Sequence, residues 1–192
     1  MNNTKSTSAE TKGKKFGSKY ISHYGIRTRR ISEMINWYKT FFNATVQHGD
    51  ENLAFMTFDE EHHRLVIWTD EAAEEKKENI AGVDHIGIGL PNFGELVENY
   101  ERLKAAGIMP FMPVNHRFTT SLYYKDPDGN EVELSVDNFP SKEACGEFVK
   151  SEQMKAILQP PFGDIFDPEE LAMRYHQGAT EEELAQIGRS NS

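Results

Sequence analysis

The chain has only one cysteine, Cys145, among its 192 residues, so a disulfide bond within one copy is impossible. It lacks any apolar run of the ~18 residues that a membrane-spanning helix needs. Its N-terminal segment lacks the apolar core of a signal peptide. Basic residues are also in deficit: 21 Lys and Arg stand against 31 Asp and Glu, a formal net charge of −10. Nucleic acids and anionic membranes attract basic surfaces. We therefore expect neither as a partner, and we expect a cytoplasmic protein.

Apolar residues make up 38% of the chain, which indicates a folded domain with its own core. Composition varies along the sequence, and it divides the chain into three parts. Residues 1–17 are small, polar and rich in lysine, which predicts a disordered segment. Residues 18–138 are predicted to form one domain, and residues 139–192 a helical C-terminal extension.

An internal repeat runs through the predicted domain. Ser22–Thr28 (SHYGIRT) and Asp84–Leu90 (DHIGIGL) share the pattern His-x-Gly-Ile at an offset of 62 residues, and apolar residues at helical spacing follow each. Asp126–Asn130 (DPDGN) is a strong turn signal before the last strand of the second half. Each half therefore reads strand, helix and three strands. The sequence predicts an α+β fold of two βαβββ modules, 20–70 and 82–138, that form an open curved barrel around a cleft.

The run Asp126–Leu134 (DPDGNEVEL), combined with the paired His-x-Gly-Ile strands, resembles the vicinal oxygen chelate superfamily. This superfamily contains glyoxalases, bleomycin-resistance proteins and extradiol dioxygenases. The resemblance covers residues 20–138 and is strongest to the one-domain type I extradiol ring-cleaving dioxygenases. Each motif alone is a weak signal, whereas their combination is specific.

Three residues are the candidate metal ligands: His23, His85 and Glu133. The two histidines occupy equivalent points of the first strands of the two modules, and Glu133 lies in the last strand of the second. Alone, each would be an ordinary strand residue. Together, two imidazoles and one carboxylate suit non-haem Fe(II), or alternatively Mn(II). The resemblance implies a fourth ligand in glyoxalases at the position of Val66, whose side chain does not bind metal. The site is therefore expected to keep open coordination positions for substrate and O2.

The segment Asp59–Trp68 (DEEHHRLVIW) holds two adjacent histidines before an apolar run. The resemblance implies that the second of them, His63, is the acid–base residue. Strict strand alternation would instead put His62 on the face of Val66. The two interpretations differ in whether a turn interrupts the strand before it reaches the histidines.

The resemblance assigns two further catalytic roles, to Tyr123 and His116. Tyr123 stands ten residues before the predicted ligand Glu133, and it is expected to hydrogen-bond the substrate. His116 resembles a histidine on the substrate side of the cleft. The alternatives without a catalytic role are a tyrosine packed in a strand for Tyr123 and an exposed loop histidine for His116. Tyr124 is expected to point away from Tyr123 into the core.

The C-terminal extension shows helix signals. Residues 141–158 read as one helix, and Gln159–Gly163 (QPPFG) as its end. Asp167–Glu170 and Thr180–Glu183 are predicted helix starts. The extension is interpreted as an arm that packs on the barrel or on a sister chain. The alternative is a lid whose apolar walls would be Phe162, Phe166 and Tyr175.

The lead hypothesis is an extradiol dioxygenase that binds non-haem Fe(II) and cleaves the ring of a catechol or biphenyl-diol with O2. We expect a small aromatic diol and O2 as its partners, and a homo-oligomer. A thiol transferase or lyase of the fosfomycin-resistance kind is the enzyme alternative, because it shares the same three ligands. A non-catalytic protein that binds a small ligand is the other alternative, and it would not need the three ligands.

Overall fold

The computed structural model describes residues 20–77, 81–160 and 162–189. The segment 1–17, predicted to be disordered, lies outside these residues. In the described part of the chain, each half forms the predicted succession of strand, helix and three strands. The first module comprises β1 (Tyr24–Thr28), α1 (Ile31–Phe42), β2 (Thr45–Gly49), β3 (Leu53–Thr57) and β4 (Leu65–Thr69). The second comprises β5 (His85–Leu90), α2 (Phe93–Ala105), β6 (Met112–Asn115), β7 (Thr119–Lys125) and β8 (Glu131–Asp137).

The strands form two open sheets, which confirms the predicted α+β class. The first sheet has the order β1-β4-β3-β2, and in the second the order β5-β8-β7-β6 has the same topology. The first strand of each module runs parallel to its last. Gly25 lies opposite Val66 in the first sheet, and Gly87 lies opposite Glu133 in the second. The repeat read from the sequence is therefore also a repeat of strand register.

Strand alternation separates a core face from a cleft face in each sheet. Leu65 and Ile67 of β4 and Val132 and Leu134 of β8 are buried in the core cluster beneath the helices. The residues between them point to the opposite face, and Glu133 is one of these. Tyr124 is fully buried against Phe41, with ring centroids 5.0 Å apart, and it faces away from the cleft as predicted.

A buried hydrogen bond joins the two modules. Tyr38 of α1 donates its hydroxyl proton to Asp126 Oδ2 at 3.0 Å. Asp126 opens the predicted turn, and its other oxygen accepts the main-chain N–H groups of Asp128 and Asn130 at 2.9 and 2.8 Å. The turn carboxylate thus organises its own loop and also holds the first helix.

Tyr38→Phe is expected to lower the free energy of unfolding by about 1–3 kcal/mol, because it removes a hydrogen bond from a buried carboxyl group without opening a cavity. Urea unfolding followed by circular dichroism measures the change. Tyr20→Phe removes the same hydroxyl from an exposed ring and should change little. Equal effects of the two substitutions would contradict this role for Tyr38.

The C-terminal extension differs in two respects from its prediction. The helix expected over 141–158 divides at Ser151, because this residue is extended and its hydroxyl bonds the Phe148 carbonyl at 2.7 Å. The short strand β9 (Asp164–Ile165) was not predicted, and it adds a fifth strand to the second sheet beside β6. The helical elements are α3 (Lys142–Lys150), a 3-10 helix (Glu152–Ile157), α4 (Pro168–His176) and α5 (Glu181–Leu184).

The helices α4 and α5 start at the predicted caps. The Asp167 side chain accepts the N–H of Glu169, and Thr180 and Glu183 form a reciprocal capping box. Helix α4 packs on α2, where Glu169 binds Tyr100 and Lys104. Of the residues proposed as lid walls, Phe166 lies in the core and Tyr175 packs against it, so neither faces the cleft. None of the helices in the described residues is long and apolar enough to cross a membrane.

Candidate active site

The strands β5, β8 and β7 place His85, Glu133 and Tyr123 on one face of the second sheet. His85 Nε2 lies 3.3 Å from Glu133 Oε2. Tyr123 is the cross-strand partner of Glu133, and its ring meets the His85 ring edge-on with centroids 5.2 Å apart. Gly87, opposite Glu133, leaves room for the carboxylate, because a Cβ there would stand 2.7 Å from Glu133 Oε2.

The orientation of His85 suits metal binding. Its Nδ1 lies 2.9 Å from Asp84 Oδ2, and a carboxylate there favours a proton on Nδ1. In the neutral ring, Nε2 then presents its lone pair to the Glu133 oxygen, which is also an electron-pair donor. Two such donors at 3.3 Å repel each other unless a proton or a metal ion lies between them. Asp84 was not predicted, although the Asp-His pair is visible in the sequence.

His116 and Tyr123 form a second pair, next to the first. The Tyr123 hydroxyl and His116 Nε2 are 3.0 Å apart, and both side chains are buried. Burial, and next the charge of Glu133, raise the pKa of Tyr123, so the hydroxyl keeps its proton at neutral pH. The alternative interpretation of His116, an exposed loop histidine, is therefore wrong. Its ring is buried, and both ring nitrogens form hydrogen bonds.

His63 and His62 both precede β4, which begins at Leu65, so strand alternation does not govern them. The His63 ring lies 4.6 Å from the His23 ring and 5.3 Å from that of Phe55, a cross-strand partner of Val66. The His62 side chain is 74% exposed. Desolvation lowers the pKa of His63, and the neighbouring His62 and His23 lower it further. The neutral ring, which can accept a proton, is therefore favoured.

The three predicted ligands do not form one cluster. His85 and Glu133 are together, whereas the exposed His23 lies just before β1, beside His63. No group of three or more His, Cys, Asp or Glu side chains in residues 20–77, 81–160 and 162–189 is placed to hold a metal ion. The two first strands face each other across a cavity of about 270 Å³, lined by residues of β1 and by His85. The triad of ligands stays a prediction, in which His23 belongs to the facing module.

Two further histidines lie away from these pairs. His48 is an exposed residue of β2, and His176 ends α4, where its Nε2 lies 2.7 Å from Glu101. The fold and the paired groups define a protein with two repeated modules and a polar cleft that holds imidazole, carboxylate and phenol groups.

Comparison with known proteins identifies the class. Residues 20–134 match the Glyoxalase/Bleomycin resistance protein/Dioxygenase superfamily. The chain is 35% identical over 166 residues to biphenyl-2,3-diol 1,2-dioxygenase 3 of Rhodococcus globerulus, covering 85% of this chain and 86% of the relative. It is 38% identical over 149 residues to biphenyl-2,3-diol 1,2-dioxygenase 2 of the same organism, covering 77% of each.

A crystal structure of a glyoxylase/bleomycin resistance protein/dioxygenase domain from Frankia sp. EAN1pec shares the fold. It is 18% identical, with a TM-score of 0.55, and the match covers 65% of this chain and 96% of that one. The chain belongs to the Glyoxalase/Bleomycin resistance protein/Dioxygenase superfamily. The family prediction is confirmed, and the predicted oxidoreductase class agrees with the names of both Rhodococcus proteins.

Proposed function

We propose that this chain is an extradiol dioxygenase that cleaves the aromatic ring of a catechol or biphenyl-diol with O2, using non-haem Fe(II) or alternatively Mn(II). The observation that carries the proposal is the contact between two functional pairs on one sheet face. His85 and Glu133, two of the predicted metal ligands, lie directly beside the hydrogen-bonded pair Tyr123 and His116. Two relatives, which this chain matches over most of their length, are named as biphenyl-2,3-diol 1,2-dioxygenases. Their names support the same reaction.

The donor chemistry of the predicted ligands suits the metal, and in the structure two of them, His85 and Glu133, lie together. His85, Glu133 and His23 would hold it, and they would leave positions open for other ligands. The structural observation that favours a metal ion is the approach of His85 Nε2 to within 3.3 Å of Glu133 Oε2, with the Asp84 carboxylate at the other ring nitrogen. A bound iron would supply the site at which a diol and O2 meet.

The remaining steps belong to side chains of this chain. A diol must lose a proton to chelate a metal through both oxygens, and a proton must return during ring opening. His63, with its lowered pKa, takes the proton from the diol hydroxyl and later gives it back. Tyr123 presents its hydroxyl group at the cleft and forms a hydrogen bond with a diol hydroxyl, while the neighbouring His116 holds it in place.

The test is an oxygen-uptake screen after anaerobic loading with Fe(II) or Mn(II). Rapid uptake with biphenyl-2,3-diol or a substituted catechol, together with a coloured ring-opened product, is the expected result. Parallel assays with glutathione and an epoxide substrate test the transferase alternative. A metal-loaded protein that forms thiol adducts without consuming O2 would overturn the proposal. So would one that binds a diol and leaves it unchanged.

Gly87→Ala is expected to weaken metal binding by about 10- to 100-fold, the usual effect of disturbing the support of a metal ligand. The added Cβ would lie 2.7 Å from Glu133 Oε2 and would push the carboxylate away from His85. Competitive titration with a chelator measures the affinity. Gly89→Ala is the matched control, because a Cβ two residues further along β5 meets no atom within 4 Å. Equal affinities in the two variants would contradict the placement of Glu133 as a ligand.

A further inference from the structure

The C-terminal extension returns to the active site through its backbone. Strand β9 pairs antiparallel with β6, and this pairing sets Asp164 opposite Asn115. Asn115 is followed directly by His116. The residue that precedes β9 by two positions, Phe162, therefore lies beside the buried histidine.

The contact is a hydrogen bond with a defined direction. His116 Nδ1 lies 2.7 Å from the main-chain oxygen of Phe162. A carbonyl oxygen only accepts hydrogen bonds, so Nδ1 carries the proton. In the neutral imidazole, Nε2 then has a lone pair, and it accepts the hydroxyl proton of Tyr123 across 3.0 Å. The chain of bonds thus runs from Tyr123 through His116 to Phe162.

The Phe162 carbonyl is held by backbone features. Phe162 has a φ of 59°, which is uncommon for a residue other than glycine, and its N–H donates to the Gln159 carbonyl at 2.7 Å. Gly163 has a φ of 157°, and a Cβ on it would stand 2.3 Å from the Asn115 oxygen. Arg117 Nε binds Asp164 Oδ2 at 3.2 Å just beyond. The Phe162 ring is 51% exposed, so its packing is not what fixes the carbonyl.

We propose that the main-chain carbonyl of Phe162 is a positioning group for the active site. It holds His116 in the tautomer with the proton on Nδ1, so that Tyr123 donates to Nε2 and turns its oxygen lone pairs toward the cleft. Tyr123 then receives a hydrogen bond from a diol hydroxyl and orients that hydroxyl before its proton is removed. This catalytic consequence rests on the proposed dioxygenase function, whereas the tautomer does not.

The tautomer can be measured directly. Long-range proton–nitrogen correlation spectra of the full chain, labelled at its 7 histidines, distinguish a protonated ring nitrogen from an unprotonated one. The spectra are taken both without metal and with diamagnetic Zn(II), and the His116 signals are assigned by their loss in His116→Gln. The expected result is a neutral His116 ring protonated at Nδ1. A proton on Nε2, or on both nitrogens at neutral pH, would overturn the proposal.

Two backbone variants separate the carbonyl from the side chain. Phe162→Gly keeps the carbonyl and tolerates the positive φ, so the wild-type tautomer of His116 should be retained. Gly163→Ala collides with the Asn115 oxygen, shifts the carbonyl, and should allow the second tautomer. It should also lower kcat for biphenyl-2,3-diol by up to about 100-fold, with a smaller change in KM.

Asp164→Ala is a milder variant that loosens the same segment, and it replaces Gly163→Ala if that protein fails to fold. The role of the carbonyl would be overturned if Phe162→Gly changed the tautomer of His116 while Gly163→Ala and Asp164→Ala left it unchanged. A wild type that shows the expected tautomer but consumes no O2 with any diol would overturn the proposed function and still support the positioning of His116.

Discussion

Alanine at His85 or at Glu133 is expected to abolish metal binding and ring cleavage while the fold persists. These side chains point to the cleft face of the second sheet, and neither belongs to the hydrophobic core. The loss of affinity should exceed the 10- to 100-fold that typically follows removal of an outer-shell partner, because a direct ligand is lost. Metal analysis after loading with Fe(II) should fall from about one ion per chain to near zero, with an unchanged circular dichroism spectrum.

Glu131→Ala is the matched control for this experiment. Glu131 lies two residues before Glu133 on β8, shares its face of the strand, and pairs with Lys125 at 3.6 Å. Its removal should leave the metal content intact. His23→Ala tests the third ligand, which the structure places beside His63. Full metal occupancy in His85→Ala or in Glu133→Ala would show that the proposed site is wrong.

His63→Phe is expected to lower turnover by ~10²–10⁴-fold, the usual contribution of a general acid–base group, and to keep the metal content. The phenyl ring preserves the contact with Phe55 but does not carry a proton. The decrease should be smaller with nitrocatechol, because an electron-poor diol ionises without help. Steady-state kinetics on both substrates measure the difference.

His62→Ala is the control for His63, because it removes the adjacent imidazole, which is mostly exposed to solvent. It should leave turnover nearly unchanged. A large loss in His62→Ala with normal turnover in His63→Phe would exchange the roles of the two residues. If both variants remain active, proton transfer passes through His116 or through water.

The fold could be predicted from the sequence because the residues that repeat have strong preferences for strands, helices or turns. The offset between the two His-x-Gly-Ile strands predicted the modules, and the register of Gly25 with Val66 and of Gly87 with Glu133 reproduces it. The two-residue strand β9 escaped prediction, because two residues are too few to show an alternating pattern. The division of the helix at Ser151 depends on one local hydrogen bond.

The site was predictable where side chains carry the chemistry. The proximity of His85, Glu133 and Tyr123 follows from strand register, which the repeat and the turn signal define. The place of His23 depends instead on how two sheets face each other, which no local pattern records. The Phe162 carbonyl is a main-chain group, and its partner His116 lies 46 residues away in the sequence. The sequence of side chains therefore does not reveal that this carbonyl contacts His116.

Labelled oxygen tests the central claim most directly. The protein loaded with Fe(II) under anaerobic conditions is mixed with biphenyl-2,3-diol and ¹⁸O2, and the product is examined by mass spectrometry. A dioxygenase inserts both atoms of one O2 molecule into one ring-opened product, so two labelled atoms per product and equal consumption of O2 and diol are expected. Metal-loaded protein that leaves the diol intact, or that consumes O2 without incorporating both atoms, would contradict the account.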